Sequence, residues 1–372
     1  MFGTCITNAP TVFSGDSPIK NWDGVGLVDF PDPNAISGQA VIARQQKKYG
    51  CWHCTIACGG HMMGPAGEYE YAPGSHKPEY ETWASFGSMC LNNNFESIMK
   101  VNDICNRHGL DTISAGVTVA FAIECFERGI IDEKDTGGIR LGWGNHQGIV
   151  ALTELIAERK GFGAVLADGV KLAAARIGRG SEQYAIHVEG QEVPMHDPKM
   201  NPFQATTYQM DATPARHTQG AEGWLNPVGL PLPEYESTGY AGRGEAHKMA
   251  ANAAHVVNCA GLCVFGAACS PVDALFEFMS AVTGYDRGFD ELLIAGERIA
   301  NMRHLFNLRE GLNPVKYKVP RRMLGKPPQQ AGPLAGKEVD SDTLVREFCQ
   351  AMQWDPITAR PNPARLKELG LA

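Results

Sequence analysis

Apolar residues at helical spacing, in series that end at a glycine, constrain the fold of this chain more than any other feature. Phe95, Ile98, Val101 and Cys105 follow such a spacing, and Gly109 ends the series as a helix stop. The same signals predict further helices at about 37–50, 114–128, 146–160, 164–177, 245–259, 271–283, 290–310 and 341–352. The sequence therefore predicts a mainly α protein.

Loops rich in Gly and Pro separate these helices and indicate how the chain is organised. The longest cover about 59–80, 197–244 and 312–340, and loops of this length are usually functional. The character of the sequence changes near residue 186. We therefore expect two helical domains with long loops, 1–186 and 187–372.

Charge and hydropathy exclude several classes of partner. The formal net charge of -8 argues against nucleic acid, whose phosphates need clustered Lys and Arg. Apolar runs are all shorter than the roughly 20 residues that cross a bilayer, so we expect no membrane span. The first residues lack a basic segment followed by an apolar one, which predicts a cytoplasmic protein. The 11 Cys are then better suited to metal ligation or core packing than to a disulfide framework.

The strongest chemical signal is a run of three cysteines, Cys51, Cys54 and Cys58, with spacing C-x2-C-x3-C. A cuboidal iron–sulfur cluster needs four thiolates, and three close in sequence can bind one side of it. Offsets of 3 and 7 would place the three thiols on one helical face. One alternative is a zinc site formed by the three cysteines with His53 or His61. The other is that the three cysteines are packed in the core and bind no metal.

The fourth thiolate of such a cluster has to come from a distant segment. Cys263 follows Gly261, which is a candidate helix stop, so its side chain would emerge beyond the helix. Cys259 is the rival ligand and would stay on the helix face. We favour Cys263.

One hexapeptide pattern, N-x-x-G-L-[D/C], occurs at 106–111 and again at 258–263. A glycine followed by an apolar residue is what a Schellman helix stop requires, so a purely structural role explains both copies. Each copy also places an Asn beside exposed helix-end carbonyls. Such a turn offers hydrogen-bond acceptors to a donor-rich heterocycle such as a pterin.

Together these motifs resemble the tungsten-dependent aldehyde:ferredoxin oxidoreductase family. The cysteine run, EYET, GLDTIS and GLC occur in the family's order, at 51–58, 79–82, 109–114 and 261–263. HVEGQEVP, HDP and the ending from Trp354 add to the resemblance. It covers nearly the whole chain and implies the helical domains 2 and 3 of that family.

The resemblance implies cofactors and ligands for this chain. The cofactors would be a 4Fe–4S cluster and a tungsten (or molybdenum) bis-molybdopterin. The cluster ligands would be Cys51, Cys54, Cys58 and Cys263. The pterin contacts would come from the two turns, at Asn106, Gly109, Leu110, Asp111, Asn258, Gly261 and Leu262.

The same resemblance makes Glu81 and His217 an acid–base pair beside the metal. From the sequence alone, Glu79 and Glu81 could equally form a solvated acidic pair in a loop, and His217 could be a surface residue. The family's pterin turns commonly begin with Asp, whereas this chain has Asn106 and Asn258. Asn keeps an acceptor oxygen but loses the charge, so we expect pterin binding to be weaker or differently tuned.

The resemblance also implies an activity, the oxidation of a small aldehyde to a carboxylic acid with ferredoxin as electron acceptor. The chain starts where the family's second domain starts. We therefore expect either a truncated reading frame or a subunit of a split enzyme, with the N-terminal domain supplied by another chain. The alternatives are a subunit of a related aromatic acyl-CoA reductase and a non-catalytic 4Fe–4S electron-transfer protein.

Overall fold

A computed structural model describes residues 2–219, 228–236, 239–285 and 288–372. The chain forms two compact units. The first consists of Met1–Met200 with Pro320–Glu338, and the second of Asn201–Val319 with Val339–Ala372. The sequence predicts one domain boundary near residue 186. In the structure the first unit continues to Met200, and the chain returns to it at Pro320. The predicted mainly helical fold is confirmed.

The first unit is built from nine short and medium helices and two small hairpins within its described residues. The helices are α1 (Asn8–Ser14), α2 (Gly26–Asp29), α3 (Gly38–Ala43), α4 (Tyr80–Phe86), α5 (Phe95–His108), α6 (Thr112–Glu127), α7 (His146–Glu158), α8 (Phe162–Leu166) and α9 (Val170–Ile177). The strands are β1 (Gln45–Tyr49), β2 (Gly59–Met62), β3 (His187–Val188) and β4 (Gln191–Glu192).

Helix α6 is the centre of the first unit, and it positions α4. Val117, Phe121 and Ile123 have no exposed surface, and an all-round apolar helix is typical of a core. Gly116 lets α4 approach, since a Cβ there would lie 2.5 Å from the Ser85 Cβ. The closeness of these two helices fixes the position of α4 against α6.

Residues 320–338 are held in the first unit by a buried ion pair. The Arg322 guanidinium donates to both carboxylate oxygens of Glu124 on α6, at 2.9 and 3.2 Å, and the Glu124 side chain is 1% exposed. The Asn21 amide also donates to Glu124, at 2.6 Å, and the Asn21 carbonyl accepts from Arg322 at 2.7 Å. Arg128 lies 3.6 Å from the same carboxylate. Arg322, Asn21 and Arg128 therefore all compensate the Glu124 charge.

The helix predicted over 37–50 is wrong in its second half. Ser37 does cap α3, accepting a hydrogen bond from the Ala40 amide, but the helix ends at Ala43. Gln45–Tyr49 forms β1 instead, antiparallel to β2, with Tyr49 opposite Gly59. This segment has no apolar face to bury as a helix, and pairing with β2 satisfies its backbone groups.

The second unit contains seven helices in its described residues: α10 (Phe203–Met210), α11 (Arg243–Cys259), α12 (Val264–Ala267), α13 (Val272–Thr283), α14 (Phe289–Arg309), α15 (Ser341–Ala351) and α16 (Pro363–Glu368). Helix α11 is its axis, with apolar clusters against α12 and α13. A second apolar cluster joins α10, α14 and α15. Gly296 allows α14 to touch α11, since a Cβ there would lie 2.1 Å from the Asn252 carbonyl oxygen.

Most of the predicted helices agree with the structure to within a few residues, and their ends are explained by caps. Asn94, Asp111 and Asn145 cap α5, α6 and α7 through their side chains. Helix α10 falls in a segment predicted to be loop, and the predicted helix over 164–177 is divided into α8 and α9 by Gly169. Among the described residues, no helix is long and apolar enough to span a membrane.

Candidate active site

The three clustered cysteines lie in the loop 50–58, which joins β1 to β2. The Cys54 amide donates to the Cys51 carbonyl at 3.0 Å and closes a turn. His53 and Ala57 have positive φ values of 54° and 46°. The prediction that the thiols share one helical face is wrong, because the strands on either side force the segment to fold back as a loop.

The loop is tightly closed at its base but open at its tip. A Cβ on Gly50 would lie 3.0 Å from the Ala57 Cα, so only glycine fits there without a shift. Cys51 is exposed, while Cys54 and Cys58 are half-buried. Within the described residues, no three metal-ligating atoms of this loop lie within 4.8 Å of one another. A mononuclear zinc site needs its ligand atoms that close.

A buried cation lies under this loop. Lys77 has no exposed surface, and its ammonium donates to the Phe2 carbonyl at 2.8 Å. Gly3, at φ +67°, packs between the cysteine loop and Lys77. A Cβ at this position would lie 2.7 Å from the Cys58 carbonyl oxygen and 3.2 Å from the Lys77 Nζ. Burying a charge is costly unless an opposite charge compensates it. An anionic cluster on the loop would provide that compensation.

Glu81 lies in the first turn of α4, so the expectation of a solvated loop pair is wrong for this residue. The Met195 amide donates to its Oε2 at 2.9 Å, and the side chain is only 16% exposed. Burial raises the pKa of Glu81, although the charge of His196 and the Met195 hydrogen bond partly oppose this shift. Glu79 occupies the N-cap position of the same helix without a side-chain capping hydrogen bond, and its side chain is 35% exposed.

Sequence reasoning missed two residues beside Glu81. The His196 Nε2 lies 3.4 Å from the Glu81 Oε1, and the His196 Nδ1–H donates to the Asp16 Oδ2 at 2.7 Å. The HDP stretch at 196–198 forms part of the family resemblance and is the one sequence signal that points to His196. Asp16 carries no recognisable sequence signal.

The first candidate pterin turn is a helix stop in the structure. Gly109 ends α5 in the left-handed region at φ +67°, and the Leu110 amide donates to the Cys105 carbonyl at 2.9 Å. The Asn106 side-chain amide donates to the Asn102 backbone carbonyl at 2.9 Å. Asp111 caps α6, where its carboxylate accepts from the Ser114 amide at 3.1 Å. The structural role is thus confirmed, and pterin binding stays a prediction for this exposed turn.

The second candidate turn has the same form at the end of α11. Gly261 has φ +72°, and the Leu262 amide donates to the Val257 carbonyl at 3.2 Å. Asn258, Cys259 and Cys263 are exposed. Cys259 is the last residue of α11 and Cys263 lies beyond the stop, as the sequence predicted.

His217 lies in the second unit, after α10. Its side chain is half-buried, so it is not the fully exposed surface residue of the alternative interpretation. The backbone just before it is constrained: Ala215 has φ +55°, and its amide donates to the Tyr208 carbonyl at 2.9 Å. The catalytic role of His217 stays a prediction.

Comparison with known proteins gives a consistent family. Residues 1–371 match the family described as aldehyde ferredoxin oxidoreductase, domains 2 and 3. The chain is 32% identical over 345 residues to the tungsten-containing aldehyde ferredoxin oxidoreductase of Pyrococcus horikoshii, covering 90% of this chain and 54% of the relative. The Pyrococcus furiosus protein of the same description is 29% identical, covering 100% of this chain and 60% of the relative.

Two further likenesses have other descriptions. The aliphatic sulfonate oxidoreductase, WOR-like subunit, of Pyrococcus furiosus is 27% identical, covering 95% of this chain and 55% of the relative. The active-site complex BamBC of benzoyl-coenzyme A reductase with 1,5-dienoyl-CoA has a TM-score of 0.77 at 17% identity, covering 99% of this chain and 59% of that chain. The latter likeness concerns the fold alone.

The chain therefore spans little more than half the length of the relatives that it matches. The match to domains 2 and 3 over 1–371 and the relatives at about 30% identity agree with each other. The chain belongs to the tungsten-containing aldehyde ferredoxin oxidoreductase family and corresponds to its domains 2 and 3.

Proposed function

We propose that this chain is the cofactor-binding helical part of an oxidoreductase that oxidises aldehydes to carboxylic acids and delivers the electrons to ferredoxin. Its family relatives are tungsten-containing aldehyde ferredoxin oxidoreductases. When bound, the tungstopterin and the cluster would supply the redox chemistry: aldehyde plus water gives acid, two protons and two electrons, which leave singly. The observation that carries the proposal is the largely buried, hydrogen-bonded carboxylate of Glu81 in a chain of this family.

The cysteine loop supports the cluster part of the proposal. Cys51, Cys54 and Cys58 would bind one side of a 4Fe–4S cluster, and Cys263 would complete the ligand set. The buried ammonium of Lys77 beside the Cys58 backbone suits a negatively charged group at this loop. The two helix stops, 106–111 and 258–263, would contact the pterins.

The environment of Glu81 supports its role as the general base. A buried carboxylate with a raised pKa holds a proton at a pH where a solvated carboxylate cannot, so it can accept one from bound water or from an aldehyde hydrate. The Met195 amide fixes one carboxylate oxygen, which orients the other. His217 would polarise or protonate the substrate oxygen.

The test uses the chain as it is produced in its host, with any partner chain that co-purifies. Metal analysis should find iron together with tungsten or molybdenum, and an aldehyde should reduce a viologen dye or ferredoxin. Glu81→Gln should abolish this turnover without changing the metal content, whereas the matched variant Glu79→Gln should keep most of it. Full turnover by Glu81→Gln would remove this residue from the mechanism.

A second candidate is suggested by the structural likeness to a benzoyl-coenzyme A reductase complex. A screen in which aromatic acyl thioesters are reduced and aldehydes are not oxidised would favour that reaction class. Iron without tungsten, molybdenum or pterin would instead favour a non-catalytic electron-transfer protein.

A further inference from the structure

Two carboxylates face opposite nitrogens of one imidazole in the first unit. The Asp16 Oδ2 accepts from the His196 Nδ1–H at 2.7 Å, and the Glu81 Oε1 lies 3.4 Å from the His196 Nε2. The side chains of Asp16 and His196 are 20% exposed and that of Glu81 is 16% exposed. The three residues come from three separate segments, so the arrangement is not a consequence of sequence proximity.

The imidazole is held by its chain neighbours as well as by Asp16. The Asp197 amide donates to Asp16 twice, to the carbonyl oxygen at 2.9 Å and to Oδ1 at 3.1 Å. On the other side, the Tyr80 hydroxyl donates to the Met195 carbonyl at 2.5 Å. The ring of Tyr80 lies 5.1 Å from the imidazole. The ring orientation is therefore fixed from both directions.

This orientation limits which protons the pair can hold. Because Asp16 accepts from Nδ1, a neutral His196 presents Nε2 as an acceptor, which pairs with a protonated Glu81. A charged His196 presents Nε2–H as a donor, which pairs with an ionised Glu81. A neutral His196 beside an ionised Glu81 carries no proton at Nε2, so in this state the imidazole can accept one that Glu81 takes up.

We propose that His196, oriented by Asp16, is a positioning residue that accepts at Nε2 the proton collected by Glu81 and so returns Glu81 to its carboxylate form. The step is a proton transfer alone: Glu81 loses the proton, the imidazole gains it, and no electron moves. It rests on the proposed role of Glu81 as base. It explains how a largely buried, hydrogen-bonded base can be returned to its carboxylate form.

The charges around the pair agree with this assignment. Burial lowers the pKa of His196, but the Asp16 hydrogen bond and the charges of Glu81 and Asp16 outweigh it, so the net shift is upward. Asp111 and Asp16 both act to raise the pKa of Glu81. Asp197, next in the chain, is neutralised by the Lys199 ammonium at 2.7 Å, so its own charge has little effect on the ring.

The first test needs no substrate. In the full chain labelled with 15N-histidine, NMR titration gives the pKa of each imidazole, and His196→Gln identifies the signal of His196. Asp16→Asn should lower the pKa of His196 by about one unit, since it removes an adjacent opposite charge, and Asp16→Glu should restore much of it. The exposed Asp23→Asn serves as the matched control. An unchanged pKa in Asp16→Asn would overturn the proposal.

The second test measures turnover against pH. The transfer needs a neutral His196, so the acid limb of the kcat profile should follow the pKa of His196. In His196→Gln this limb should move away from that pKa, and kcat should fall about tenfold or more. His187→Gln, a half-buried histidine elsewhere in the unit, should move neither. An acid limb that stays in place refutes the proton transfer. A wild-type protein loaded with iron and tungsten that oxidises no aldehyde would refute only the proposed function, because the NMR result is obtained without substrate.

Discussion

Removing Arg322 should release residues 320–338 from the first unit. Arg322→Met keeps the length of the side chain but leaves the Glu124 carboxylate, 1% exposed, without its two-pronged partner. Loss of one member of a buried ion pair costs about 3–5 kcal/mol. We expect the lower end, about 3 kcal/mol, because the Asn21 amide at 2.6 Å and Arg128 at 3.6 Å still compensate Glu124.

The assay combines urea unfolding with hydrogen–deuterium exchange of peptides from 320–338. Arg322→Met should lower the midpoint of the first unfolding transition and speed exchange in that segment. The double variant Arg322→Met/Glu124→Gln should recover part of the loss, because no uncompensated charge then remains buried. Arg321→Met, at an exposed neighbour, should change stability by less than about 0.5 kcal/mol. A loss below about 1 kcal/mol, or a double variant worse than the single one, would refute this reasoning.

Three further outcomes follow from single positions. Cys263→Ser should lose most of the bound iron and Cys259→Ser should keep it; the reverse result would make Cys259 the fourth ligand. Lys77→Met should lower the reduction potential of the cluster in an EPR-monitored titration, because it removes a positive charge that favours the reduced form. Each 1 kcal/mol of lost interaction corresponds to roughly 40 mV. An unshifted potential would show that the Lys77 charge does not act on the cluster. Burial lowers the pKa of His255 to about 4. As the pH falls from about 6.5 to 4, the unfolded state therefore gains a proton before the folded state does, and the free energy of unfolding should decrease by about 3 kcal/mol. His255→Gln should show a much flatter pH dependence of its thermal midpoint.

The sequence was sufficient for the helices because their signals are local. Asn94 and Gly109 bracket α5, and the apolar spacing between them needs no knowledge of the rest of the chain. The same holds for the end of α11 at Gly261, which separates Cys259 from Cys263. The structure agrees with these assignments to within a few residues.

The parts that could not be predicted depend on contacts between distant segments. Gln45–Tyr49 forms a strand only because Gly59–Met62 is available to pair with it. The Glu81 carboxylate accepts a hydrogen bond from the Met195 backbone, more than 110 residues later in the chain, and is largely shielded from solvent. The pairing of Asp16 with His196 joins positions 180 residues apart, and no local pattern signals it.

The return of 320–338 to the first unit has a consequence for biosynthesis. A ribosome that has completed 1–200 has not yet made Arg322, so Glu124 on α6 lacks its two hydrogen bonds from Arg322 until another 120 residues or more have emerged. We expect the first unit, which carries Cys51, Cys54 and Cys58, to reach its final stability only after most of the chain has been translated. Expression of 1–200 by itself should accordingly give a poorly folded product, and a circular permutant that brings 320–338 next to residue 200 should be the better way to isolate this unit.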